Sequence, residues 1–381
     1  MRILYVEPFE GGSHASFTRA LTRPGALPGV QWTTLTLPGR HWKWRMRGAA
    51  AWAALEHGAD LRAPHDLLLA SSYVPLAELV GLVPALAAQP RILYFHENQL
   101  TFPARQPPAR PEQEARDHHF GFTQLVSALA ATRCAFNSAH NRDGFLAAGR
   151  ELLARMPDAV PRGFIERIEA RSEVLPVPVA LPDEPPRSEL SSDHPERALG
   201  PVILWNHRWE HDKDPEAFFA ALRPLHERGV PFRVAVCGQQ FRRAPAVFEQ
   251  ARAWLGARVV HWGTCEGEAA YRELLSQAQL AVSTAVHEFF GIAMVEATHL
   301  GAEPLVPDRL AYPEIFPAEH RYPDPAALVE RLEARCRAWV AGAPLRADRR
   351  GITAPYRAQA LLPRYHALFR RVLDEGPPPG P

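Results

Sequence analysis

The sequence predicts two α/β domains in tandem, each built on a doubly wound parallel sheet and facing a central cleft. Three observations lead to this prediction. Short, almost continuously apolar runs alternate with segments of helical length, which is typical of parallel strands covered by helices on both faces. A proline-rich, polar stretch at 176–200 separates one series of such runs from a second. The length of 381 residues suits two cores better than one.

The two series predict the elements in order. In the first series, strands are predicted at 2–8, 66–72, 91–97 and 132–139, with helices at 15–23, 75–88 and 118–131. In the second series, strands are predicted at 202–208, 232–238, 258–263, 280–285 and 302–307, with helices at 214–229, 244–256, 267–278 and 291–301. The resulting domains are 1–180 and 201–353, with a linker at 181–200 and a terminal helical segment at 354–376 that packs back across the domains.

Composition excludes several classes of protein. The hydrophobic content of 46% and the charged content of 22% are those of an ordinary globular protein, which excludes extensive disorder. The net charge of +1 provides no global field for nucleic acid or membranes, so any such surface must be local. No apolar run approaches 18 residues, and the N-terminal run is too short for a signal peptide. We therefore expect a cytoplasmic protein without a membrane span.

The sequence predicts no metal site. The four cysteines, at positions 134, 237, 265 and 336, show no C-x-x-C spacing, which indicates neither a disulfide framework nor a zinc site and fits a reducing compartment. The tripeptide DKD at 212–214 matches a D-x-D metal-binding pattern. However, Asp214 followed by Pro215 is better explained as the N-cap and first residue of a helix.

Two polar segments adjoin predicted strands of the first domain. Gly11 and Gly12 form a turn between a strand and a helix, where backbone N–H groups can meet a negative group, although a purely structural turn explains the pair equally well. His96, Glu97 and Asn98 stand at the carboxyl end of a buried strand. In open α/β sheets that end faces the ligand crevice, which favours ligand contact over the usual structural role of a lone histidine.

Two segments of the second domain carry paired charges. Arg208 and Lys213 flank a strand–helix junction, where both cations can reach one diphosphate, although a solvated salt-bridge cluster is the simpler alternative. In the stretch HEFFGIAMVEA (287–297), Glu288 precedes a helix and Glu296 lies about two turns into it. Gly291 between them allows a ligand to approach the N–H groups of the first helical turn. This spacing predicts two acids that contact different parts of one ligand.

A basic, aromatic stretch, RHWKWRMR (40–47), is the candidate for contact with nucleic acid. Its cations match phosphates, and its aromatic faces can stack on the unpaired bases of a single-stranded loop. An amphipathic segment with its tryptophans packed inside is the structural alternative. The residues concerned are Arg40, Trp42, Lys43, Trp44, Arg45 and Arg47.

In combination, these motifs resemble a known family. Arg208-x4-Lys213 followed by Glu288-x7-Glu296 resembles the donor site of retaining family-4 glycosyltransferases with the GT-B fold, which has two Rossmann-like domains. A closer resemblance is to the tRNA-queuosine α-mannosyltransferases. It is carried by EPFEGGSH, LPGRHWKWRMR, ILYFHENQL, HRWEHDKDPE, HEFFGIAMVEA and YPEIFPAE, and it spans residues 1 to about 320. It implies transfer of mannose from GDP-mannose, with retained configuration, to queuosine in the anticodon loop of tRNA(Asp).

The resemblance also implies roles for individual residues. Arg208 and Lys213 would hold the diphosphate, Glu296 the ribose hydroxyls, and Glu288 would lie near the donor sugar. Backbone groups of Phe289, Phe290 and Gly291 would contact sugar and phosphate, and Gly11 and Gly12 would close over the phosphates. His96 would face the donor sugar and the acceptor hydroxyl, with Asn98 and the 40–47 stretch on the tRNA side. No cofactor or metal is required, because two cations meet the charge of the leaving diphosphate.

Three alternatives remain at this point. The first is a family-4 transferase that uses another nucleotide sugar and a saccharide or lipid acceptor. The second is a non-catalytic protein that binds RNA or senses a nucleotide sugar, against which the four charged residues of the donor motif argue. The third is a sugar-nucleotide epimerase with the same two-domain architecture. The sequence does not choose between guanine and uracil or between mannose and galactose, and it leaves the oligomeric state open.

Overall fold

The computed structural model describes residues 1–102, 111–184, 186–240 and 245–378, with the backbone alone for 111–118. These residues form two compact units. The first comprises Met1–Ala180 together with the chain from Tyr356 onward, and the second comprises Leu181–Pro355. Each unit has one parallel sheet and its own hydrophobic core. The predicted α/β class with two sheets is confirmed.

The first sheet contains six parallel strands within the described residues: β1 (Arg2–Glu10), β2 (Gln31–Pro38), β3 (Leu67–Ser71), β4 (Arg91–Phe95), β5 (Arg133–Phe136) and β6 (Ser172–Val174). They pair in the order β2-β1-β3-β4-β5-β6. Strands β3 and β4 are buried at every position because they lie inside the sheet. Both strands that the sequence analysis missed are edge strands: β2 has one fully buried residue, Leu35, and β6 has none. Half-exposed edges lack the apolar run that identified the others.

The helices of the first unit occupy the connections between these strands. They are α1 (Ser13–Thr22), α2 (Trp42–Glu56), α3 (Gly58–Arg62), α4 (Leu76–Leu82), α5 (Pro111–Leu129), α6 (Ala139–Ala154) and α7 (Phe164–Glu169), with a 3₁₀ helix at Pro84–Ala88. The predicted helix at 75–88 is thus divided in two, and its second part begins at Pro84 because proline supplies no N–H for a continuing helix.

The second sheet contains six parallel strands in the described residues: β7 (Val202–Asn206), β8 (Arg233–Cys237), β9 (Val259–Gly263), β10 (Leu280–Val282), β11 (Glu303–Pro307) and β12 (Arg321–Tyr322). Their order is β12-β11-β10-β7-β8-β9. All five strands predicted for this half are present, and only the two-residue edge strand β12 was missed. The register pairs Asn206 with Cys237 and Cys237 with Gly263, so the carboxyl ends of β7, β8 and β9 lie side by side.

Helices again connect these strands. They are α8 (Pro215–Glu227), α9 (Val247–Leu255), α10 (Gly267–Gln277), α11 (Ile292–His299), α12 (Tyr312–Ile315), α13 (Pro325–Val340) and α14 (Arg350–Thr353). Short 3₁₀ helices cover Pro195–Leu199, His211–Lys213, Gly256–Arg258 and Ala318–His320, and another follows at Ala354–Tyr356. Among the helices described, none is both long and apolar enough to cross a bilayer.

The segment at 181–200, predicted as a linker, makes specific contacts within the second unit. The guanidinium of buried Arg197 donates to the carbonyl of Trp339 over 2.6 Å and lies 4.8 Å from the centre of its ring. The Glu189 carboxylate accepts a hydrogen bond from the backbone N–H of Arg346. These contacts supply partners for buried polar groups, so the segment predicted as an interdomain linker belongs to the second unit.

The last helix, α15 (Ala358–Glu375), returns the chain to the first unit. It continues through Pro363, and two of its ring-bearing side chains pack against the first sheet: between ring centres, Tyr365 lies 6.1 Å from Tyr94 of β4 and Phe369 lies 6.0 Å from Trp32 of β2. The Tyr365 hydroxyl also donates to the carbonyl of Pro176. Near its end, Glu375 forms an ion pair with Arg133 of β5 over 2.6 Å. The first unit therefore consists of two separate stretches of the chain.

Candidate active site

Lys213 is the centre of a charged cluster in the second unit. The chain leaves β7 at Asn206 and forms a 3₁₀ helix that ends at Lys213. Asp214 then caps α8 by accepting from the N–H of Ala217, with Pro215 as the first helical residue, as the sequence predicts. This cap fixes the direction in which the loop presents Lys213.

The Lys213 ammonium group is buried but fully paired. It donates to the carbonyl of His287 over 2.7 Å and lies 3.2 Å from both the Glu288 and the Asp212 carboxylates. Burial opposes its charge, but Glu288 and Asp212 outweigh burial, so the pKa of Lys213 is raised. Burial likewise opposes the charge of Glu288, yet Lys213 and His207 hold its pKa below the ordinary value. The structure thus joins two predicted site residues that are distant in sequence.

Arg208 borders the same cluster from the solvent side. Its guanidinium lies 2.9 Å from Glu210 and 3.7 Å from Asp212, and its side chain is half-exposed. Asp212 therefore lies between the two cations. The salt-bridge cluster that the sequence analysis gave as the alternative is present, and it arranges both cations around one carboxylate.

Gly291 forms the junction between the Glu288 loop and α11. Its φ of 94° is in the left-handed region, and a Cβ here would lie 3.0 Å from the Tyr312 ring, so both conformation and space require glycine. The N–H of Phe290 points to the Glu288 carboxylate over 3.3 Å, and Phe289 and Phe290 are buried. The start of α11 can bind a negative group beside the Lys213 cluster.

Glu296, on α11, belongs to a hydrogen-bond chain that the sequence did not reveal. It accepts from the Tyr271 hydroxyl over 2.6 Å, and that hydroxyl accepts from the Asn206 amide over 2.7 Å. Burial and then Glu296 raise the pKa of Tyr271, which keeps its proton for this bond. No spacing rule relates Asn206 and Tyr271 to Glu296, because the sheet and two helices bring them together.

In the first unit, His96 lies in a buried cluster with Glu7 and His14. Its ring centre is 4.0 Å from that of His14, and its Nε2 is 3.8 Å from the Glu7 carboxylate, which accepts from His14 over 2.9 Å. Within the described residues neither ring nitrogen of His96 has a hydrogen-bond partner. Burial and then His14 place the pKa of His96 well below its usual value, so the ring is neutral. A carboxylate that interrupts the apolar run of β1 was the available sequence signal for Glu7.

The predicted Gly-Gly turn joins β1 to α1, and its two residues differ in role. A Cβ on Gly11 would lie 3.1 Å from the Cα of Gly39, so Gly11 is needed where two backbones pass closely. Gly12 has a φ of 53° and precedes α1, and a Cβ added there would meet no heavy atom of the described residues within 4 Å. The structural explanation therefore accounts for Gly11, while Gly12 presents open backbone.

The residues predicted to contact tRNA divide into two groups. Trp42 packs 5.5 Å from Phe120 between ring centres, and Arg47 lies over Phe120, so these two belong partly to a local aromatic cluster. The exposed members are Arg40, Lys43, Trp44 and Arg47, and Arg45 is half-buried. The Trp44 ring is 65% exposed.

Asn98 differs from its prediction as an acceptor contact. Its side chain is completely buried. Its amide nitrogen donates to the side-chain oxygen of Asn141 over 2.9 Å, and its own oxygen accepts from the N–H of Thr101 over 2.9 Å. Because both ends of the amide are used to shape the loop after β4, Asn98 has a structural role.

Comparisons with known proteins identify the family of the chain. A family model described as tRNA-queuosine alpha-mannosyltransferase N-terminal matches residues 2–179, and one described as glycosyl transferases group 1 matches residues 187–348. A tRNA-queuosine alpha-mannosyltransferase from Drosophila melanogaster is 40% identical over 344 residues, which cover 88% of this chain and 87% of the relative.

Solved structures show the fold. Sucrose-phosphate synthase from Thermosynechococcus elongatus superposes with a TM-score of 0.69 at 14% identity, covering 98% of this chain and all of that one. Anabaena HepE in complex with UDP superposes with a TM-score of 0.63 at 14% identity, with the same coverage of both chains. The predicted GT-B fold and family are confirmed: the chain is a glycosyltransferase that belongs to the tRNA-queuosine alpha-mannosyltransferase family.

Proposed function

We propose that this enzyme transfers mannose from GDP-mannose to queuosine in the anticodon loop of tRNA(Asp), with retained configuration. The Drosophila relative is a tRNA-queuosine alpha-mannosyltransferase by name, which supports the acceptor and the sugar. GDP as the carrier and tRNA(Asp) as the RNA follow from the resemblance of the sequence motifs. The proposal includes a cytoplasmic location, which the four free cysteines fit.

The observation that carries the proposal is the pairing of Arg208 and Lys213 around Asp212, next to Glu288 and the start of α11. A donor diphosphate that reaches these two cations meets two positive groups and the N–H groups of a helix start. The same groups stabilise the charge that develops on GDP as it leaves. Glu288 then lies on the sugar side, with the backbone of Phe289, Phe290 and Gly291 against sugar and phosphate.

Glu296 binds the ribose hydroxyls in this proposal. Its carboxylate already accepts from Tyr271, whose hydroxyl is in turn oriented by Asn206. These two hydrogen bonds hold the Glu296 carboxylate in one position on α11. The carboxylate can therefore accept a hydrogen bond from a ribose hydroxyl without first reorganising. In the first unit, Gly12 offers open backbone for the donor phosphates, with Gly11 holding the turn in place.

The transfer is balanced without a divalent ion at the diphosphate. The bond between the anomeric carbon and the diphosphate oxygen breaks, the acceptor hydroxyl oxygen bonds to that carbon on the same face, and its proton passes to the departing phosphate. We propose that the two cations replace a metal in this step. His96 lies near sugar and acceptor in this proposal. Its ring is neutral there, because burial disfavours the charged form.

The acceptor tRNA binds the exposed side of α2 in this proposal. Arg40, Lys43, Arg45 and Arg47 meet backbone phosphates, and Trp44 stacks on an unpaired base. Trp42 contributes indirectly, because it packs against Phe120 and thereby fixes the helix start. A local basic face of this kind is compatible with the overall net charge of +1.

The test is a transfer assay with defined substrates. The purified protein is incubated with GDP-mannose and tRNA that carries queuosine, and the tRNA is digested and its nucleosides are measured by mass spectrometry. We expect one hexose on queuosine and none in tRNA that carries unmodified guanosine at that position. Parallel reactions with UDP-glucose and UDP-galactose test the donor, supported by thermal shifts with GDP and UDP. A folded protein that adds no hexose to queuosine contradicts the proposal, and a preference for UDP contradicts its donor.

A further inference from the structure

Two thiols and an imidazole converge at the carboxyl ends of β8 and β9. Cys237 is the last residue of β8, His261 lies within β9, and Cys265 follows two residues after the end of that strand. The parallel register places Cys237 beside Gly263, which brings the residues on either side of Gly263 to the end of β8. Three side chains that are up to 28 positions apart thus meet at one point.

Two of the three distances between the donor atoms are close to those of a coordination sphere. The two Sγ atoms are 3.6 Å apart, and the Cys265 Sγ is 3.7 Å from the His261 Nε2. All three donor atoms lie within 4.8 Å of one another. A tetrahedral zinc ion, with Zn–S near 2.3 Å and Zn–N near 2.0 Å, separates two sulfurs by about 3.8 Å and a sulfur and a nitrogen by about 3.5 Å.

We propose that Cys237, Cys265 and His261 bind a thiolate-preferring divalent ion, with Zn²⁺ as the first candidate and a fourth position open to water. Two thiols and a neutral imidazole take up the ion, both thiols become thiolates, and two protons are released. The His261 Nε2 exchanges its 3.0 Å contact with the Gly263 carbonyl for the metal. Two sulfurs and one nitrogen select zinc over magnesium or calcium, which prefer oxygen ligands.

The burial of these three side chains and their access to solvent both suit a metal site. Cys237 is buried, which excludes water from one side of the site, while Cys265 and His261 are half-buried and leave a path for the ion. A disulfide is the competing use of the two thiols. It requires the sulfurs to approach to about 2.05 Å, which is about 1.5 Å closer than they are.

The position of the site gives it a consequence for the enzyme. In the register of the sheet, Cys237 is the direct neighbour of Asn206, which orients Tyr271 and through it Glu296. An ion bound there would link the end of β8 to the segment after β9. It would thereby stabilise the edge of the sheet that supports the hydrogen bonds between Asn206, Tyr271 and Glu296. None of the three proposed ligands belongs to the Lys213 cluster, and the proposal assigns the ion no part at the diphosphate.

The experiment measures metal content directly. The full chain is produced without an affinity tag that binds metals, kept reduced, and dialysed, and its zinc is measured by plasma mass spectrometry. We expect about one zinc ion per folded chain, held by two thiolates and one imidazole. Replacement by Co²⁺ should give the visible absorption of a tetrahedral thiolate complex. Cys265→Ser and His261→Gln should each lose the stoichiometric ion, whereas Cys134→Ala and Cys336→Ala, which remove buried thiols elsewhere, should keep it.

Circular dichroism on each variant separates metal loss from unfolding, and Cys265 is the first choice because it is not fully buried. The proposal is overturned if the folded wild-type chain binds no zinc on titration, or if Cys265→Ser binds as much as wild type. Loss of two titratable thiols without any metal, reversed by a reductant, would also overturn it in favour of a disulfide. None of these measurements depends on which sugar or RNA the enzyme uses.

Discussion

At the scale of single residues, the second unit couples charges that are costly to bury alone. Lys213 is compensated by Glu288 and Asp212, and each of these carboxylates depends on Lys213 in return. Such a cluster is stable only while its members remain paired, because an isolated buried charge costs several kcal/mol. Arg208 differs in that its side chain is half-exposed, so it can be removed with less effect on the fold.

Removal of either cation should reduce turnover. We expect Arg208→Ala to lower kcat by about 100-fold or more, as for loss of one group that stabilises transition-state charge. Lys213→Ala should have a similar kinetic effect and also lower the melting temperature, because Glu288 and Asp212 lose their counter-ion. Steady-state kinetics and thermal melts measure both. Arg228→Ala, which deletes an exposed cation of the same unit, is the control. Undiminished turnover in Lys213→Ala would show that the leaving-group assignment is wrong.

His207 should make the protein less stable in mild acid. Burial, and then Lys213, lower the pKa of His207 to about 3. The unfolded chain takes up a proton near pH 6.5 while the folded chain does not, so stability that is present above pH 6.5 is lost as the pH falls from there towards 3. Between pH 7 and 5.5 this histidine alone should cost about 1 kcal/mol.

Urea unfolding at the two pH values checks this expectation, with His207→Gln compared with wild type. The variant should lose less stability on acidification, whatever its stability at pH 7. His211→Gln, at an exposed position four residues away, is the matched control. An identical loss in wild type and His207→Gln would remove His207 as a source of acid sensitivity.

At the scale of elements, helix starts and strand ends determine what each side chain faces. The left-handed Gly291 turns the Glu288 loop into α11, so that one short stretch presents a carboxylate, the first backbone N–H groups of the helix and, little more than one turn into it and not the predicted two, Glu296. In the first unit, α2 begins at Trp42 and presents Lys43 and Trp44 outward while Met46 is buried. These two elements contain most of the residues in the proposed donor and acceptor contacts.

Gly291→Ala should disrupt the start of α11. An alanine at a φ of 94°, with its Cβ 3.0 Å from Tyr312, should cost about 1–2 kcal/mol or more in stability. We also expect weaker binding of GDP, measured by calorimetry. The control is Gly351→Ala in α14, where a new Cβ meets no described heavy atom within 4 Å and alanine favours the helix. Equal effects of the two substitutions would contradict the requirement for glycine at 291.

Trp44→Ala should weaken tRNA binding without affecting the fold. The ring is 65% exposed, so its loss removes little packing, while the loss of stacking on one base should cost about 1–3 kcal/mol of binding. Filter binding with queuosine tRNA measures the effect. Leu55→Ala, at an 83% exposed position on the same helix, should bind as wild type does. If both variants bind equally well, α2 does not contact the acceptor through Trp44.

At the scale of the whole molecule, the sequence was sufficient for the architecture because buried parallel strands are continuous apolar runs. Val202–Asn206 and Leu67–Ser71 were found in this way, whereas the half-exposed β2 was not. Arg208, Lys213 and Glu288 could be predicted as site residues because they lie in segments that follow strands, and this assignment stays a prediction. The partners of Glu296 could not be predicted, because Tyr271 and Asn206 meet it only through sheet register and helix packing. Cys237 and Cys265 escaped for the same reason: the sheet, and not a short spacing, brings them together.

Removal of α15 should destabilise the first unit selectively. A chain that ends at Pro355 loses the Arg133–Glu375 ion pair and the buried side chains of Tyr365 and Phe369, all of which belong to that unit. Hydrogen exchange followed by mass spectrometry should show faster exchange in β1 and β4, while β7 and β8 keep their protection. Equal protection of β1 and β4 in both chains would show that the first unit folds without its last helix.

The divided first unit has a consequence for synthesis. Helix α15 is translated after every residue of the second unit, although Tyr365 completes the packing around Phe17 and Tyr94 near the start of the chain. The N-terminal domain of a multidomain protein commonly finishes folding while the next domain is still being made. The first unit of this protein lacks α15 at that stage, so it cannot follow this order. On the ribosome we expect the second unit to complete its fold first, while the rings of Phe17 and Tyr94 lack their contacts with Tyr365 until α15 has been made.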